Sequence, residues 1–227
     1  MCQSGPFQRN VQFPAKSSVC TTGGGSSVSR YEDFAEMLSK QGFTVIVPEL
    51  ILHDSRNALG AYFDRGIVEQ HFWEVVFQSI EESGTLAKQL NVPRGDIIWL
   101  GVSMGGFIAS GAAAKQQGSA GLININGSGS FLFAEQLLRS RDKRTTLSTS
   151  EEQRLRKYDP LSQEQVTPTL LLHGEDDEVI PIATKQHYVE QSASTNSDVT
   201  FLKYPLINHT VSDDMIADIL NWLDERF

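Results

Sequence analysis

Asp96 to Phe107 reads D-I-I-W-L-G-V-S-M-G-G-F. A short apolar run, Ile97 to Leu100, lies between Gly95 and Gly101, and a small-residue segment, Phe107 to Ala114, follows. The run has the length and composition of a buried strand, and the segment suits a buried helix. Ser103 falls at the turn between them, inside G-V-S-M-G. A side chain held between a strand and a helix needs a strained backbone, so residues two positions away must be small. Gly101 and Gly105 meet that need. The helix start behind Ser103 presents main-chain N–H groups and a positive dipole end, suited to an oxyanion formed when Ser103 attacks a carbonyl carbon. The alternative is a chance match in a glycine loop, and the strand before and helix after weigh against it.

Strands and helices alternate on either side of this motif. Val28 to Gln41 has helical spacing and stops at Gly42, and Phe43 to Val47 reads as a strand ending at Pro48. Glu49 to Gly66 reads as an irregular connection, and Ile67 to Leu90 as a long amphipathic helix. Further strands are expected at Gly121–Asn126, Thr169–His173 and Val199–Tyr204, with helices at Ile182–Gln191 and Val211–Phe227. Such alternation calls for an α/β architecture, a mostly parallel doubly wound sheet with helices on both faces. Residues 131–158 break the rhythm with two short helices around a polar run. They are too few to form a core of their own and read as a cap insertion over the site. Residues 1–227 thus read as one domain. Residues 1–25 are the least legible part, broken by Pro6 and Pro14.

The 227 residues carry a formal charge of −9, which disfavours nucleic acid and anionic membrane as partners. The densest basic cluster, Arg139, Arg141, Lys143 and Arg144, has acids nearby and reads as solvated surface. Two cysteines, Cys2 and Cys20, make no disulfide framework, so a reducing cytoplasm is the expected location. No apolar run approaches a membrane span, and the N-terminus lacks the pattern of a signal peptide.

A serine hydroxyl needs a base within reach, and the base needs an acid to orient it. In doubly wound sheets these groups collect after the carboxyl ends of strands. His209, in I-N-H-T, follows the last strand and is the candidate base. His187 falls inside a helix and reads as facing solvent; His173 reads as a packing or hydrogen-bonding residue at its strand end. The acid lies in H-G-E-D-D-E-V-I-P, His173 to Pro181. Asp177 leads there, with Asp176, Glu175 and Glu178 as competitors that local sequence does not separate. His53, Asp54 and Arg56 lack metal-ligand spacing, so neither metal nor cofactor is expected. His71-Phe72-Trp73 divides between packing and a substrate pocket. The glycine loop Thr22 to Ser27 lacks the lysine of a phosphate-binding loop.

G-V-S-M-G-G (Gly101–Gly106), H-G-E-D-D-E-V-I-P and N-H-T (Asn208–Thr210) resemble the α/β-hydrolase superfamily. The likeness is to its small single-domain bacterial esterases, near the dienelactone-hydrolase and prolyl-oligopeptidase-like branches. G-F-T-V-I-V-P (Gly42–Pro48), H-D-S-R (His53–Arg56) and H-F-W (His71–Trp73) extend it from about Ser26 to the C-terminus. The resemblance implies a serine hydrolase acting on small to medium acyl esters, without a cofactor. It favours Asp177, the fifth position of H-G-x-x-D. It also implies an oxyanion hole from the N–H of Met104 and a glycine-loop donor such as Gly24, a pocket near Trp73 and Phe131, and a cap after the sixth strand. A peptidase or thioesterase of the same fold is the alternative, and a catalytically silent binding fold another. The chain departs from the resemblance at its front. Relatives carry an apolar strand ending in His-Gly, whereas this chain reads V-C-T-T-G-G-G-S-S. The first strands are therefore expected to be reduced or missing, and an altered reading frame or start site before Ser26 would account for it. Oligomeric state is not legible in the sequence.

Overall fold

The computed structural model describes residues 17–21, 27–59, 65–163 and 166–227. Among them, six strands form one sheet: β1 (Ser17–Thr21), β2 (Thr44–Ile46), β3 (Ile97–Val102), β4 (Gly121–Ile125), β5 (Thr169–Gly174) and β6 (Val199–Tyr204), in the order β2-β1-β3-β4-β5-β6. Every pairing is parallel. The fold class read from the sequence is the one found. Residues 131–158 follow β4, the fourth strand among the described residues, where the sequence reading sets them after a sixth.

Helices α1 (Glu32–Lys40) and α7 (Asp213–Arg226) cover one face, and α2 (Arg65–Leu90) and α3 (Met104–Lys115) the other. β3, β4 and β5 are buried on both sides, so alternate residues serve two cores. Ile98, Leu100, Ile123 and Ile125 pack with Leu38, Met215, Ile219 and Trp222. Ile97, Trp99 and Leu122 pack with Ala109, Ala112 and Ala113 of α3. The small residues of α3 let its neighbours come close: a Cβ on Gly111 would stand 2.2 Å from Ile80 Cδ1 of α2.

Helices α4 (Phe131–Arg141) and α5 (Thr149–Tyr158) form the segment expected over the site. Asp159 accepts the Leu132 N–H at 2.9 Å and the Leu161 N–H at 3.0 Å. The point where this segment returns is thereby bonded to the point where it leaves. The basic cluster within it is not simply solvated. Arg139 bonds Glu135 and Glu151, both at 2.7 Å, Arg144 bonds Glu135 at 3.1 Å, and Arg141 reaches the carbonyls of Glu178 (2.6 Å) and Val179 (3.1 Å). Arg141 and Lys143 are exposed and fit the surface reading; Arg139 and Arg144 are half-buried because each meets an acid.

Candidate active site

Three chain turns meet at the carboxyl edge of the sheet. In the first, Ser103 stands between β3 and α3 with φ 57° and ψ −120°, outside the comfortable range of a residue with a Cβ. Its N–H is bound by Ile125 O at 2.8 Å, and its own carbonyl receives the N–H of Gly106 at 2.9 Å. Two glycines make room for the turn. A Cβ on Gly106 would lie 2.6 Å from Asn124 Oδ1, and one on Gly127 would lie 2.7 Å from Ser103 O. The sequence pointed to Gly101 and Gly105 as the glycines the turn requires; Gly106 and Gly127 are pressed against it as well.

The second turn follows β5. Asp177 is buried, while Glu175, Asp176 and Glu178 are exposed, which separates the four carboxylates that sequence left together. Asp177 Oδ1 accepts the N–H groups of Val179 (2.9 Å) and Ile180 (2.8 Å). Its Oδ2 faces His209 Nδ1 at 2.7 Å and His173 Nε2 at 3.3 Å. Burial pushes this carboxyl up. Hydrogen bonds from His173 and His209, the His209 charge and the Ile180 N–H outweigh it, and together they hold Asp177 well below the usual carboxylate range. The side chain is thus an anion at neutral pH.

The third turn, between β6 and α7, brings His209 to Ser103. His209 Nε2 lies 2.8 Å from Ser103 Oγ. With Nδ1–H donated to Asp177, Nε2 is left to accept the serine proton. This loop is tied to the acid loop. Asn208 Oδ1 accepts N–H groups from both His209 (2.7 Å) and Glu178 (3.1 Å), and Gly174 has no room for a Cβ because Ile207 O would stand 2.2 Å from it. Asn126, at φ 48°, donates to Thr210 O at 2.7 Å and accepts the Gly174 N–H at 3.1 Å. Neither asparagine is given a role in the sequence reading, which places Asn126 at the end of a strand.

His173 is fully buried, bonded to Ile180 O at 2.8 Å beside its contact with Asp177. Burial and the Lys185 charge push its pKa down, against the bonds to Asp177 and Ile180. It stands behind the acid, away from the serine contact. His187 does not face solvent as expected. It stacks on Phe133, with centroids 4.1 Å apart, and its Nδ1 lies 3.0 Å from Ser130 Oγ, because α6 (Ala183–Ser192) turns that face toward α4.

Met104 opens α3 directly after Ser103 and is buried. Gly24 lies outside the described residues, as does most of the segment 1–25; Thr21, at the end of β1, pairs with Gly101, two residues before the serine. Trp73 is half-buried, donates from Nε1 to Glu135 at 3.0 Å and packs against Phe72, Phe77, Phe107 and Phe131. Phe131 has no exposed surface. It packs within this aromatic cluster beneath the site and lines no open wall, since the start of α4 is pressed onto α2 and α3. Around His53, Asp54 accepts the Val28 N–H, and Arg56 forms a two-pronged pair with Glu82 at 2.9 Å. Those groups are used in holding the irregular connection to its neighbours. No cluster of metal-ligand type occurs among the described residues, and no helix there is long and apolar enough to cross a membrane.

The prolyl oligopeptidase family model matches residues 34–227. Two curated relatives are each 26 % identical, covering 84 % of this chain and 81 % of their own length: a putative esterase, YitV, of Bacillus subtilis, and the esterase YjfP of Escherichia coli. Among solved structures, TT1662 from Thermus thermophilus superposes with a TM-score of 0.67 at 16 % identity, over 93 % of this chain and 89 % of that one. At that identity the likeness speaks to the fold alone. With the family match spanning most of its length, this chain belongs to the prolyl oligopeptidase family and has the α/β-hydrolase fold.

Proposed function

We propose that the protein is a serine carboxylesterase that cleaves small to medium acyl esters through a Ser103 acyl-enzyme. The observation that carries this is the continuous line from Ser103 Oγ to His209 Nε2 (2.8 Å) and from His209 Nδ1 to Asp177 Oδ2 (2.7 Å). Both lengths are within proton-transfer reach. The esterase names of the two curated relatives support the choice of ester over other acyl groups.

In this reading Ser103 attacks the ester carbonyl as His209 takes its proton. Asp177 keeps the imidazole in the tautomer that accepts and offsets the charge it gains. The main-chain N–H of Met104, with a second donor from the loop holding Gly24, receives the oxyanion. His209 then returns its proton to the leaving alcohol, and water repeats the sequence to free the acid. No step calls for a cofactor. The segment 131–158 acts as a cap on the acyl side, with Trp73 at its base. The chain works as one domain in the cytoplasm on a small-molecule ester.

Hydrolysis of p-nitrophenyl acetate by the purified chain and by Ser103→Ala tests the reading. Loss of turnover and of fluorophosphonate labelling in the variant is expected. Equal rates in the two proteins would sink it. The family description supports a second reading, cleavage of short peptides by the same three residues. A dipeptide p-nitroanilide in the same assay separates the two.

A further inference from the structure

Lys185 lies in α6, just after the acid loop, and is fully buried. Its Nζ donates to Asn124 O at 2.8 Å, Asn124 Oδ1 at 3.0 Å and Leu172 O at 2.8 Å. An ammonium has three donors and no acceptor, so three oxygens satisfy it fully. No ion pair joins it among the described residues. Burial presses its pKa well down, and the Asp177 charge acts against that. A buried cation is costly, and a methionine would fill the same space without that cost.

The partners show what the cation holds. Asn124 receives Lys185 on Oδ1 and, through Nδ2, donates to Gly106 O at 2.9 Å and Ser110 Oγ at 2.8 Å. The same Oδ1 accepts the Gly127 N–H at 3.1 Å. Gly106 and Gly127 are the two glycines pressed against the Ser103 turn. Leu172, the third partner, lies on β5, which leads into the acid loop. One ammonium therefore joins α6, the ends of β4 and β5, and the first turn of α3.

We propose that Lys185 is a positioning residue, which through Asn124 fixes the Ser103 turn against the strand that delivers Asp177. The proposal rests on the serine-hydrolase reading for its kinetic consequence, but its structural consequence stands independently. A displacement of about 1 Å at a reacting group costs on the order of 100-fold in rate.

The test uses Lys185→Met and Asn124→Asp in the full chain. The aspartate keeps a partner for the ammonium and can accept from Ser110 Oγ, but it cannot donate to Gly106 O, so it keeps the proposal testable where Lys185→Met fails to fold. For both variants kcat on p-nitrophenyl acetate is expected to fall by about 10- to 100-fold with KM within about twofold, and fluorophosphonate labelling to slow in parallel. Amide exchange is expected to quicken at Gly106 and Gly127 while Ile123 and Leu171 keep their protection. A folded variant with unchanged kcat and only a lower Tm would overturn the proposal, as would exchange that rises evenly over the sheet. If the unaltered chain neither turns over ester nor takes the label, the hydrolase reading fails, and the exchange pattern alone decides the role of Lys185.

Discussion

Asp177→Asn is the change whose consequence the geometry sets most sharply. The substitution keeps size and shape but replaces one carboxylate oxygen with an NH2 group. Oδ1 can still accept from Val179 and Ile180, so the amide is steered to place its NH2 toward His209. His209 Nδ1 must then accept, which puts the proton on Nε2, facing Ser103 Oγ across the 2.8 Å gap where it blocks proton transfer. The imidazolium of the transition state also loses its counter-charge. For unit charges separated by the 2.7 Å contact, an effective dielectric of about 20 gives an attraction of about 6 kcal/mol, roughly four powers of ten in rate. Loss of a triad acid is worth about 10⁴-fold in kcat in a serine protease, so the two routes agree. The assay is kcat/KM on p-nitrophenyl acetate beside Asp176→Asn, whose exposed side chain predicts a change below about twofold. A drop of less than about tenfold in Asp177→Asn, or an equal drop in Asp176→Asn, would refute the assignment and the reasoning on tautomers.

Other changes test the frame around the site. Gly106→Ala forces a Cβ to within 2.6 Å of Asn124 Oδ1 and 3.1 Å of Gly127 Cα. A destabilisation of about 1–3 kcal/mol is expected in urea unfolding, whereas Gly95→Ala, with only Gly118 O at 3.9 Å, is expected to be nearly silent. Glu135→Ala removes the shared partner of Trp73, Arg139 and Arg144. It removes the acceptor of Trp73 Nε1 and loosens both guanidinium groups, although Arg139 keeps Glu151 at 2.7 Å and Arg144 keeps Glu69 at 3.9 Å. The expected loss is about 1–3 kcal/mol, with a change in Trp73 fluorescence on the same unfolding curve. The depressed Asp177 pKa gives stability that is complete above the unfolded value of about 3.9 and is lost as pH falls toward the folded value. Urea midpoints between about pH 5 and pH 3 should therefore fall more steeply in the unaltered chain than in Asp177→Asn, and parallel curves would count against the shift.

Much of this was legible because the informative residues obey simple local rules. The strand–turn–helix around Ser103 has a fixed length and demands small neighbours. The double burial of the sheet writes apolar runs into the sequence, and the two later loops carry His209 and an acidic cluster in chain order. Which carboxylate is the acid was not local information. It depends on the N–H groups of Val179 and Ile180 folding back to draw one of the four side chains inward. Lys185 was invisible for a similar reason. In A-T-K-Q-H-Y-V-E-Q-S it reads as a surface lysine, because its three partners come from two strands and nothing in its own helix hints at them. Arg139 of α4 misled in the opposite direction. Spacing shows a basic cluster, but only the fold brings Glu135, Glu151 and the carbonyls of the acid loop into reach.

The bond between Asp159 and the Leu132 N–H, 27 residues apart in sequence, fastens the two stems of the α4–α5 segment to each other at the rim of the sheet. Chain that starts and finishes at one point leaves the length between open. Its length can change while β4 and β5 stay in register, provided the inward contacts of Ala134, Glu135 and Leu155 are kept. For a protein engineer this marks a socket: replacements for residues 133–158 that keep Leu132, Asp159 and the buried Ala134, Glu135 and Leu155 should drop into the same scaffold. The length of the α4–α5 segment is thereby separated from the turns that carry Ser103, Asp177 and His209.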